Sequence, residues 1–424
     1  MGRRRLYAGR EKGDGPLTAE ELHATIASFN KFGKKTSLLK FPDPAFNIPV
    51  YVNEFWTSKQ RAAHSLHEIS YRACFKPQLP RFFIDRLTGE NDLVYDPFMG
   101  RGTTIIEAAL LGRVPVGCDI NPLSRLLVCP RLNPPEIGEI VERLRGLDLE
   151  KACKLRGDLL VFYHPETLRT MTNLRRYLLE QEEAGTLDGV DAWIRMVATN
   201  RLTGHSPGFF SVYTLPPNQA VSIESQQRIN ERRNQVPPLR DIRELIIRKS
   251  RSLLRKMKKK ERALLQIARE RSRLLTASAD ETPDLEGGSV QLVVTSPPFL
   301  DVVDYHRDNW LRCWFNGIDT AAVNIWQLGD PAVWQAKMTK VFGELERVLR
   351  PGGFVAFEVG EVRGGKILLE TLALPAAQGA GLIPEMVVVN SQNFTKTSHC
   401  WGVDNLKKGT NTNRIVLLRK SAGQ

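Results

Sequence analysis

The chain has 424 residues, of which 42% are hydrophobic and 25% are charged, a balance typical of a soluble globular protein. No stretch approaches the ~18 apolar residues of a membrane-spanning helix, and no apolar segment follows the basic N-terminus as it would in a secretory signal. The six cysteines are scattered without a Cys-x-x-Cys pair. We therefore expect no metal site, no disulfide framework and a cytoplasmic location.

The net charge of the chain is +13 and its isoelectric point is about 9.5. Such a basic excess favours a polyanionic partner, with nucleic acid as the first candidate and an anionic membrane surface as the second. Because many basic proteins bind neither, the position of the charge along the chain is more informative than its sum.

Residues 1–50 are polar, basic and rich in turn signals, which predicts an N-terminal arm. One helix is predicted within this arm, over residues 18–29. It would begin at a capping box, because Thr18 is followed three residues later by Glu21.

The next stretch carries the start of a parallel α/β sheet. Residues 54–90 have a helical pattern that is interrupted by a Lys-Pro pair. A short apolar strand follows at 93–95, then a glycine-bearing turn at 96–102, a helix at 103–111 and a second strand at 114–118. This strand-turn-helix-strand order is typical of a parallel sheet.

Residues 130–275 predict helices and no strong strand. Within them, residues 237–275 contain 14 Lys and Arg against 4 Asp and Glu, with apolar residues at helical spacings. This pattern predicts a long amphipathic helix or a pair of helices. The sheet pattern resumes at Val290, so we expect one α/β domain, formed by 51–130 and 275–424, with a helical insertion at 131–274.

The stretch "DPFMGRGTT" (96–104) lies between a strand and a helix, where ligands bind in α/β sheets. Gly100 and Gly102 would let the backbone approach a ligand, and the helix N-terminus offers free amides. Asp119 ends the next strand, where a carboxylate can bind ribose hydroxyls. No phosphate-binding signature is present, so the pattern favours an adenosine-containing cofactor over a structural turn with an incidental aspartate.

The stretch "TSPPF" (295–299) follows a buried strand and should lie beside the glycine turn. Proline has no N–H donor, so this loop presents acceptors. The Ser296 hydroxyl and the Pro297 carbonyl could accept hydrogen bonds from one amino group, while Phe299 stacks on a planar ring. Two acceptors would free the lone pair of an exocyclic amino nitrogen for attack on a methyl donor.

Together, "DPFMGRGTT" and "TSPPF" resemble the S-adenosylmethionine-dependent amino-methyltransferases of DNA, which modify cytosine N4 or adenine N6. The resemblance covers roughly 50–130 and 275–420, and it implies a Rossmann-like α/β sheet with helices on both faces and a large, mainly helical insertion. The residues it assigns to the cofactor are Lys76, Pro77, Asp96, Pro97, Phe98, Gly100, Gly102, Thr103, Asp119 and Asn121. The residues it assigns to the target base are Ser296, Pro297, Pro298 and Phe299.

Serine at the start of the tetrapeptide resembles the N4-cytosine branch, since the adenine branch more often has Asp or Asn there. The resemblance thus implies transfer of a methyl group to N4 of a cytosine flipped out of double-stranded DNA. Adenine N6, an RNA substrate and a DNA-binding protein with an inactive core are the alternatives. A cognate restriction endonuclease is a candidate partner. The sequence does not decide whether such a partner exists, nor whether the chain is a monomer or a dimer.

The insertion matches no motif, and we expect target recognition there. Its basic stretch would contact DNA phosphates, although a solvated face over a packing stripe is the alternative. Four further segments or residues have open roles. The aromatic stretch 200–218 (His205, Phe209, Phe210, Tyr213) would stack on bases or form a core. Asp304, Tyr305 and Arg307 would line the base pocket, whereas Trp310, Trp314 and Phe315 are expected in the core. His399 and Trp401 stay unassigned.

Overall fold

The structure is a computed structural model, and it describes residues 15–57, 63–71, 74–215, 220–300, 305–363, 365–391 and 413–423. Three of the residues considered above, Asp304, His399 and Trp401, lie outside these ranges.

The described residues form strands and helices that alternate along much of the chain. The strands are β1 (Ser37–Lys40), β2 (Pro49–Asn53), β3 (Leu93–Asp96), β4 (Val114–Cys118), β5 (Arg273–Leu275), β6 (Val290–Thr295), β7 (Leu349–Val359), β8 (Glu361–Val362), β9 (Ile367–Leu368), β10 (Ile383–Asn390) and β11 (Asn413–Arg419). The helices are α1 (Ala19–Ala27), α2 (Gln78–Leu87), α3 (Thr103–Leu110), α4 (Pro122–Leu132), α5 (Ile137–Gly146), α6 (Pro165–Glu183), α7 (Gly189–Thr199), α8 (Ile223–Arg233), α9 (Ile242–Leu254), α10 (Lys259–Arg271), α11 (Tyr305–Phe315), α12 (Pro331–Val348) and α13 (Glu370–Gly379). Short 3-10 helices occur at Ser65–His67, Gly157–Val161 and Thr320–Ala322.

One large sheet organises the fold, with the strand order β1-β2-β10-β11-β7-β6-β3-β4-β5. The central strands β7, β6, β3, β4 and β5 run parallel to one another. Strand β11 runs antiparallel to both of its neighbours, β10 and β7. The chain builds outward from β3 through β4 to β5, then returns to the other side of β3 for β6 and β7. This reversal between β3 and β6 is where α/β sheets bind ligands.

Both faces of the sheet are covered by helices, as the sequence predicted. Helices α12 and α13 pack on one face, where Val293, Val355 and Phe357 belong to their core. Helices α1 and α2 pack on the other face, against Val94 and Leu292. The alternation of Leu292 and Val293 between the two cores follows from the two-residue period of a strand.

The helices between β4 and β5 form a third hydrophobic core. It contains buried residues of α5, α6, α7, α9 and α10 together with residues of α3, α4 and α11. The helical segment therefore shares its interior with the helix that follows the glycine turn. Among the described residues, no helix is both long enough and apolar enough to cross a bilayer.

Several local predictions are confirmed. Helix α1 begins at the capping box formed by Thr18 and Glu21, and β3, α3 and β4 occur where the sequence placed them. The basic stretch folds as a helix pair, α9 and α10, separated by a turn at 255–258.

Three local predictions are wrong. The described residues between 54 and 77 contain a 3-10 turn at Ser65–His67 and no α-helix, and α2 begins at Gln78. The N-terminal arm contributes β1 and β2, and β2 pairs in parallel with β10 near the other end of the chain. Residues 273–275, which appeared helical in sequence, form β5 beside β4. These strands are three to five residues long, too short to give a clear alternating pattern.

Candidate active site

A cleft opens at the carboxyl ends of β3, β4 and β6, at the point where the strand order reverses. It encloses about 800 Å³ of empty space, including space open to solvent. The lining residues, all described, are Tyr71, Cys74, Phe75, Asp96, Pro97, Phe98, Met99, Gly100, Thr103, Asp119, Ile120, Asn121, Ala279, Ser296, Pro298, Ile325 and Trp326. The cleft thus brings together residues of both sequence motifs, as predicted from the topology.

The carboxylate of Asp119 organises the glycine turn. One of its oxygens accepts a hydrogen bond from the Gly100 amide at 2.8 Å, and the other accepts one from the Asn121 amide at 2.8 Å. Gly100 has a φ of +48°, a conformation that side chains disfavour, so glycine suits this position. Burial raises the pKa of Asp119, and the hydrogen bonds from Asn121 and Gly100 oppose that shift.

Asp96 ties the two motifs to each other. Its carboxyl accepts a hydrogen bond from the Thr295 hydroxyl at 2.6 Å and one from the Phe98 amide at 3.1 Å. Burial raises the pKa of Asp96 to about 7, although these hydrogen bonds oppose the shift. The end of β6 is therefore fixed relative to the end of β3 by a direct side-chain bond.

Gly102 lies at the contact between α3 and α4. It has a φ of +74°, and a Cβ on it would lie 2.4 Å from a γ-carbon of Val128. Gly102 therefore allows α3 to pack closely against α4, and it is not among the residues that line the cleft.

The segment before α2 lines the cleft with Cys74 and Phe75, and not with the predicted residues Lys76 and Pro77. Lys76 is partly buried, and burial lowers its pKa. Pro77 is buried and precedes the first residue of α2. Neither lines the cleft, whereas Cys74 and Phe75 do.

Ser296 lies beside a carboxyl group that the sequence did not single out. Glu358, near the end of β7, accepts a hydrogen bond from the side-chain amide of Asn413 at the start of β11. Glu358 is only 7% exposed, and burial raises its pKa to about 7, while Asn413 and the nearby Ser296 hydroxyl oppose the shift. Three strand ends thus meet at one titratable group next to the cleft.

The remaining residues of the tetrapeptide have distinct surroundings. The Pro298 carbonyl accepts a hydrogen bond from the indole N–H of Trp334 at 2.9 Å, so a buried side chain of α12 anchors the loop. Pro297 is buried, and Phe299 is half-buried against the core beneath α12. Of the four, Ser296 and Pro298 line the cleft.

The aromatic segment after α7 is largely interior. Phe210 is fully buried and Phe209 is 8% exposed, so for these two rings the structure favours the core role over base stacking. His205 and Tyr213 are partly exposed. In α11, Phe315 is buried and Trp310 and Trp314 pack on the third core, as predicted, while Arg307 is exposed.

Sequence reasoning missed Glu358, Asn413 and Trp326. A glutamate in the otherwise apolar strand "VAFEVG" was the available signal for Glu358, because a charged residue in a buried strand requires a partner. Trp326 lines the cleft from the loop before α12 and contacts Phe98 edge-on, with 5.9 Å between ring centroids. A single loop residue such as Trp326 belongs to no periodic sequence pattern, so no signal for it was present in the sequence.

Residues 30–124 match a family model described as DNA methylase. This match includes the glycine turn and Asp119, but it ends before the helical segment and the Ser296 loop.

Three curated relatives align with parts of the chain. The Type II methyltransferase M.MjaII of Methanocaldococcus jannaschii is 33% identical over 105 residues, which are 24% of this chain and 17% of the relative. The Type II methyltransferase M.MvaI of Kocuria varians is 31% identical over 117 residues, 27% of this chain and 24% of the relative. The tRNA (guanine(10)-N2)-dimethyltransferase of Methanocaldococcus jannaschii is 31% identical over 154 residues, 30% of this chain and 43% of the relative. The chain thus aligns with less than half the length of each.

Proposed function

We propose that the chain is an S-adenosylmethionine-dependent DNA amino-methyltransferase, and that it methylates the N4 amino group of a cytosine in double-stranded DNA; the match of residues 30–124 to a DNA methylase model and the partial alignments with Type II methyltransferases support this. The observation that carries this proposal is the position of Ser296. It lines the same cleft as Asp119 and Gly100, and it lies close enough to the buried carboxyl of Glu358 to lower the pKa of that group.

The composition of the cleft suits S-adenosylmethionine. Among the described lining residues there are two carboxylates, Asp96 and Asp119, several aromatic rings and no Lys, Arg or His. Carboxylates can bind an ammonium group and ribose hydroxyls, and the apolar surface can cover an adenine ring, whereas a polyphosphate would be repelled. Asp96, Phe98, Gly100 and Asp119 are the residues that would hold the cofactor, which supplies an electrophilic methyl group on sulfur when it is bound.

The loop after β6 holds the target amino group in this proposal. The Ser296 hydroxyl and the Pro297 carbonyl accept hydrogen bonds from its two N–H groups. The Pro298 carbonyl already accepts a hydrogen bond from the Trp334 indole, so we assign the second acceptor to the Pro297 carbonyl. Acceptors fixed in this way stabilise the positive charge that develops on nitrogen as it is methylated.

Glu358 completes the reaction by accepting a proton. When the amino nitrogen gains the methyl group it must lose one hydrogen as a proton. The Ser296 oxygen takes that proton and passes its own to Glu358, so that the carboxyl ends protonated and Ser296 is unchanged. A pKa of about 7 suits a group that accepts a proton near neutral pH and then releases it to solvent.

The target base must leave the duplex to reach this cleft, which costs a few kcal/mol for a paired base. The helical segment at 131–274, with the basic pair α9 and α10, is the part of the chain we propose for DNA recognition.

Digestion of methylated DNA to nucleosides, followed by mass spectrometry, tests the proposal. Purified protein is incubated with S-adenosylmethionine and unmethylated genomic DNA, and a Ser296→Ala variant is the control. We expect N4-methylcytosine that is absent in the control. N6-methyladenine alone would overturn the cytosine assignment, and no methylated base in any DNA would overturn the proposed activity.

An RNA substrate is a second candidate, because the chain also aligns with a tRNA (guanine(10)-N2)-dimethyltransferase. The same assay with total tRNA in place of DNA distinguishes the two. Methylated nucleosides from tRNA, with none from DNA, would reverse the choice.

A further inference from the structure

An ammonium group lies behind the wall of the cleft and joins two parts of that wall. Lys337, on α12, is not a lining residue. Its ammonium forms an ion pair with the Asp280 carboxylate at 2.6 Å and lies 4.1 Å from the ring centroid of Trp326. Asp280 directly follows Ala279, which lines the cleft, and Trp326 lines the cleft together with its neighbour Ile325. One side chain of α12 therefore links the segment after β5 to the segment before α12.

Both contacts of Lys337 are partly shielded from solvent. The side chain of Lys337 is 26% exposed and that of Asp280 is 14% exposed, so water and salt screen this pair less than they screen a surface ion pair. Asp280 also accepts a hydrogen bond from the Ser278 hydroxyl, which fixes the carboxylate on its own segment. The attraction between a cation and an indole ring also increases when the groups are desolvated.

The Trp326 indole is held from a second direction as well. It meets the Phe98 ring edge-on, with 5.9 Å between the ring centroids and 75° between the planes. The same indole packs against the hydrophobic core beneath α12. Because Trp326 lines the cleft and Lys337 does not, the cavity meets the aromatic ring and not the ammonium. The result is an aromatic surface whose position depends on its neighbours.

The strand order places this surface at the cofactor end of the cleft. Strand β5 is next to β4, and it is three strands away from β6. At the usual spacing between strands, the ends of β5 and β6 are roughly 14 Å apart. Ala279 therefore lies on the side of Asp119, which ends near β4, and away from Ser296, which follows β6. The contact of Trp326 with Phe98 of the glycine turn agrees with this placement.

We propose that Lys337 is a positioning residue for S-adenosylmethionine, and that it holds the Trp326 indole against the adenine ring of the cofactor. This inference rests on the proposed function, because it takes S-adenosylmethionine as the molecule in the cleft. Planar bases stack favourably on indole rings. A wall that is already ordered before the cofactor binds loses less conformational entropy on binding, so a fixed indole raises affinity.

The test compares two lysines of α12 with the same change of charge. Lys337→Gln removes the ammonium from the wall. Lys340→Gln is the matched control, because Lys340 lies one turn further along the helix and is exposed. Calorimetry measures binding of S-adenosylmethionine and of 5′-methylthioadenosine, which retains the adenosine but lacks the amino acid end. We expect Lys337→Gln to weaken binding of both ligands several-fold and by the same factor, with kcat at saturating cofactor close to the wild-type value. Lys340→Gln should bind both ligands as the wild type does.

Tryptophan fluorescence gives a second readout that a general loss of stability would not produce. The emission of the wild-type protein should change when the cofactor binds, and this change should be lost in Trp326→Phe and reduced in Lys337→Gln. Lys337→Arg keeps the cation and should restore both the signal and the affinity. Melting curves verify that each variant is folded.

Equal cofactor affinity in Lys337→Gln and Lys340→Gln would overturn the positioning role while leaving the proposed activity intact. A Trp326→Phe variant with full cofactor affinity but reduced turnover on DNA would overturn the adenine contact and assign the indole to the target base. If the wild-type protein binds no S-adenosylmethionine, the proposed function itself fails, which is a separate result.

Discussion

The two sides of the cleft hold their carboxyl groups in different ways. On the side of β3 and β4, Asp119 binds two backbone amides, and Asp96 binds one amide and one hydroxyl. On the side of β6 and β7, Glu358 accepts a hydrogen bond from the side chain of Asn413 and lies near the Ser296 hydroxyl. Backbone amides only donate, so they favour the charged form of a carboxylate. A hydroxyl both donates and accepts, so it can carry a proton to or from its partner.

The difference indicates that the two sides of the cleft have different roles in the proposed reaction. The proposed function gives Asp119 on the first side a role in binding and Glu358 on the second side a role in proton transfer. The variants below separate the two sides, in order of decreasing effect.

Replacement of Ser296 should have the largest effect. Ser296→Ala removes both an acceptor for the amino group and the proton path to Glu358, so we expect turnover to fall by about 10³-fold or more. Affinity for S-adenosylmethionine, measured by calorimetry, should stay near the wild-type value. Ser289→Ala is the matched control, because Ser289 immediately precedes the same strand at its opposite end. Full activity in Ser296→Ala would rule out this role for the hydroxyl.

Replacement of Glu358 should have the next largest effect. Glu358→Gln cannot accept a proton, and we expect a loss of about 10²-fold in kcat. The wild-type rate should rise with pH through about 7, because burial raises the pKa of Glu358 to that value and only the ionised form accepts a proton. This step should be missing from the profile of Glu358→Gln, and Glu358→Asp should restore part of it. A step that persists in Glu358→Gln would assign the titration to another group, such as Asp96.

Replacement of Asp119 should affect binding more than turnover. Asp119→Asn places an amide N–H₂ against one of the two backbone donors, and we expect about tenfold weaker cofactor binding from the loss of a charge-assisted hydrogen bond. The value of kcat at saturating cofactor should change little. Asp92→Asn is the control, since Asp92 similarly accepts from a backbone amide, that of Gly89 at 2.7 Å, but lies at the other end of β3. A fall in kcat with unchanged cofactor affinity would contradict the division between the two sides.

The two glycines of the turn should give the smallest effects on activity, and different effects on stability. Gly102→Ala would force a Cβ into Val128, and we expect it to lower the free energy of unfolding by roughly 2–4 kcal/mol. Gly100→Ala would meet its nearest neighbour, Tyr71, at 3.6 Å and should cost only about 1–2 kcal/mol from its positive φ. Thermal denaturation measures both. Val128→Ala combined with Gly102→Ala should recover part of the loss, and no recovery would show that the contact is not the cause.

The parts of the site that sequence could predict are those built from neighbouring residues. The strand, glycine turn and helix at 93–110 are recognisable because their hydrogen bonds and packing are local. The Ser296 loop could be placed next to this turn because parallel strands end at the same edge of a sheet.

The parts that could not be predicted depend on distant residues. Glu358 becomes a titratable partner of Ser296 only because β7 and β11 bring residues 296, 358 and 413 together. Strand β2 is recognisable only through its pairing with β10, more than 300 residues away. Secondary-structure propensity and hydrophobic periodicity predict neither contact, since each describes one segment of the chain at a time.

The third hydrophobic core has a consequence for how the protein unfolds. Ile105 and Ile106 of α3 share that core with buried residues of α5, α6, α7 and α9. Elements that bury the same surface lose their stability together, so the segment 131–274 and the helix of the glycine turn should melt in a single cooperative transition. Removal of the segment would leave α3 with an exposed apolar face, and an isolated sheet lacking it should not retain the glycine turn in an ordered form.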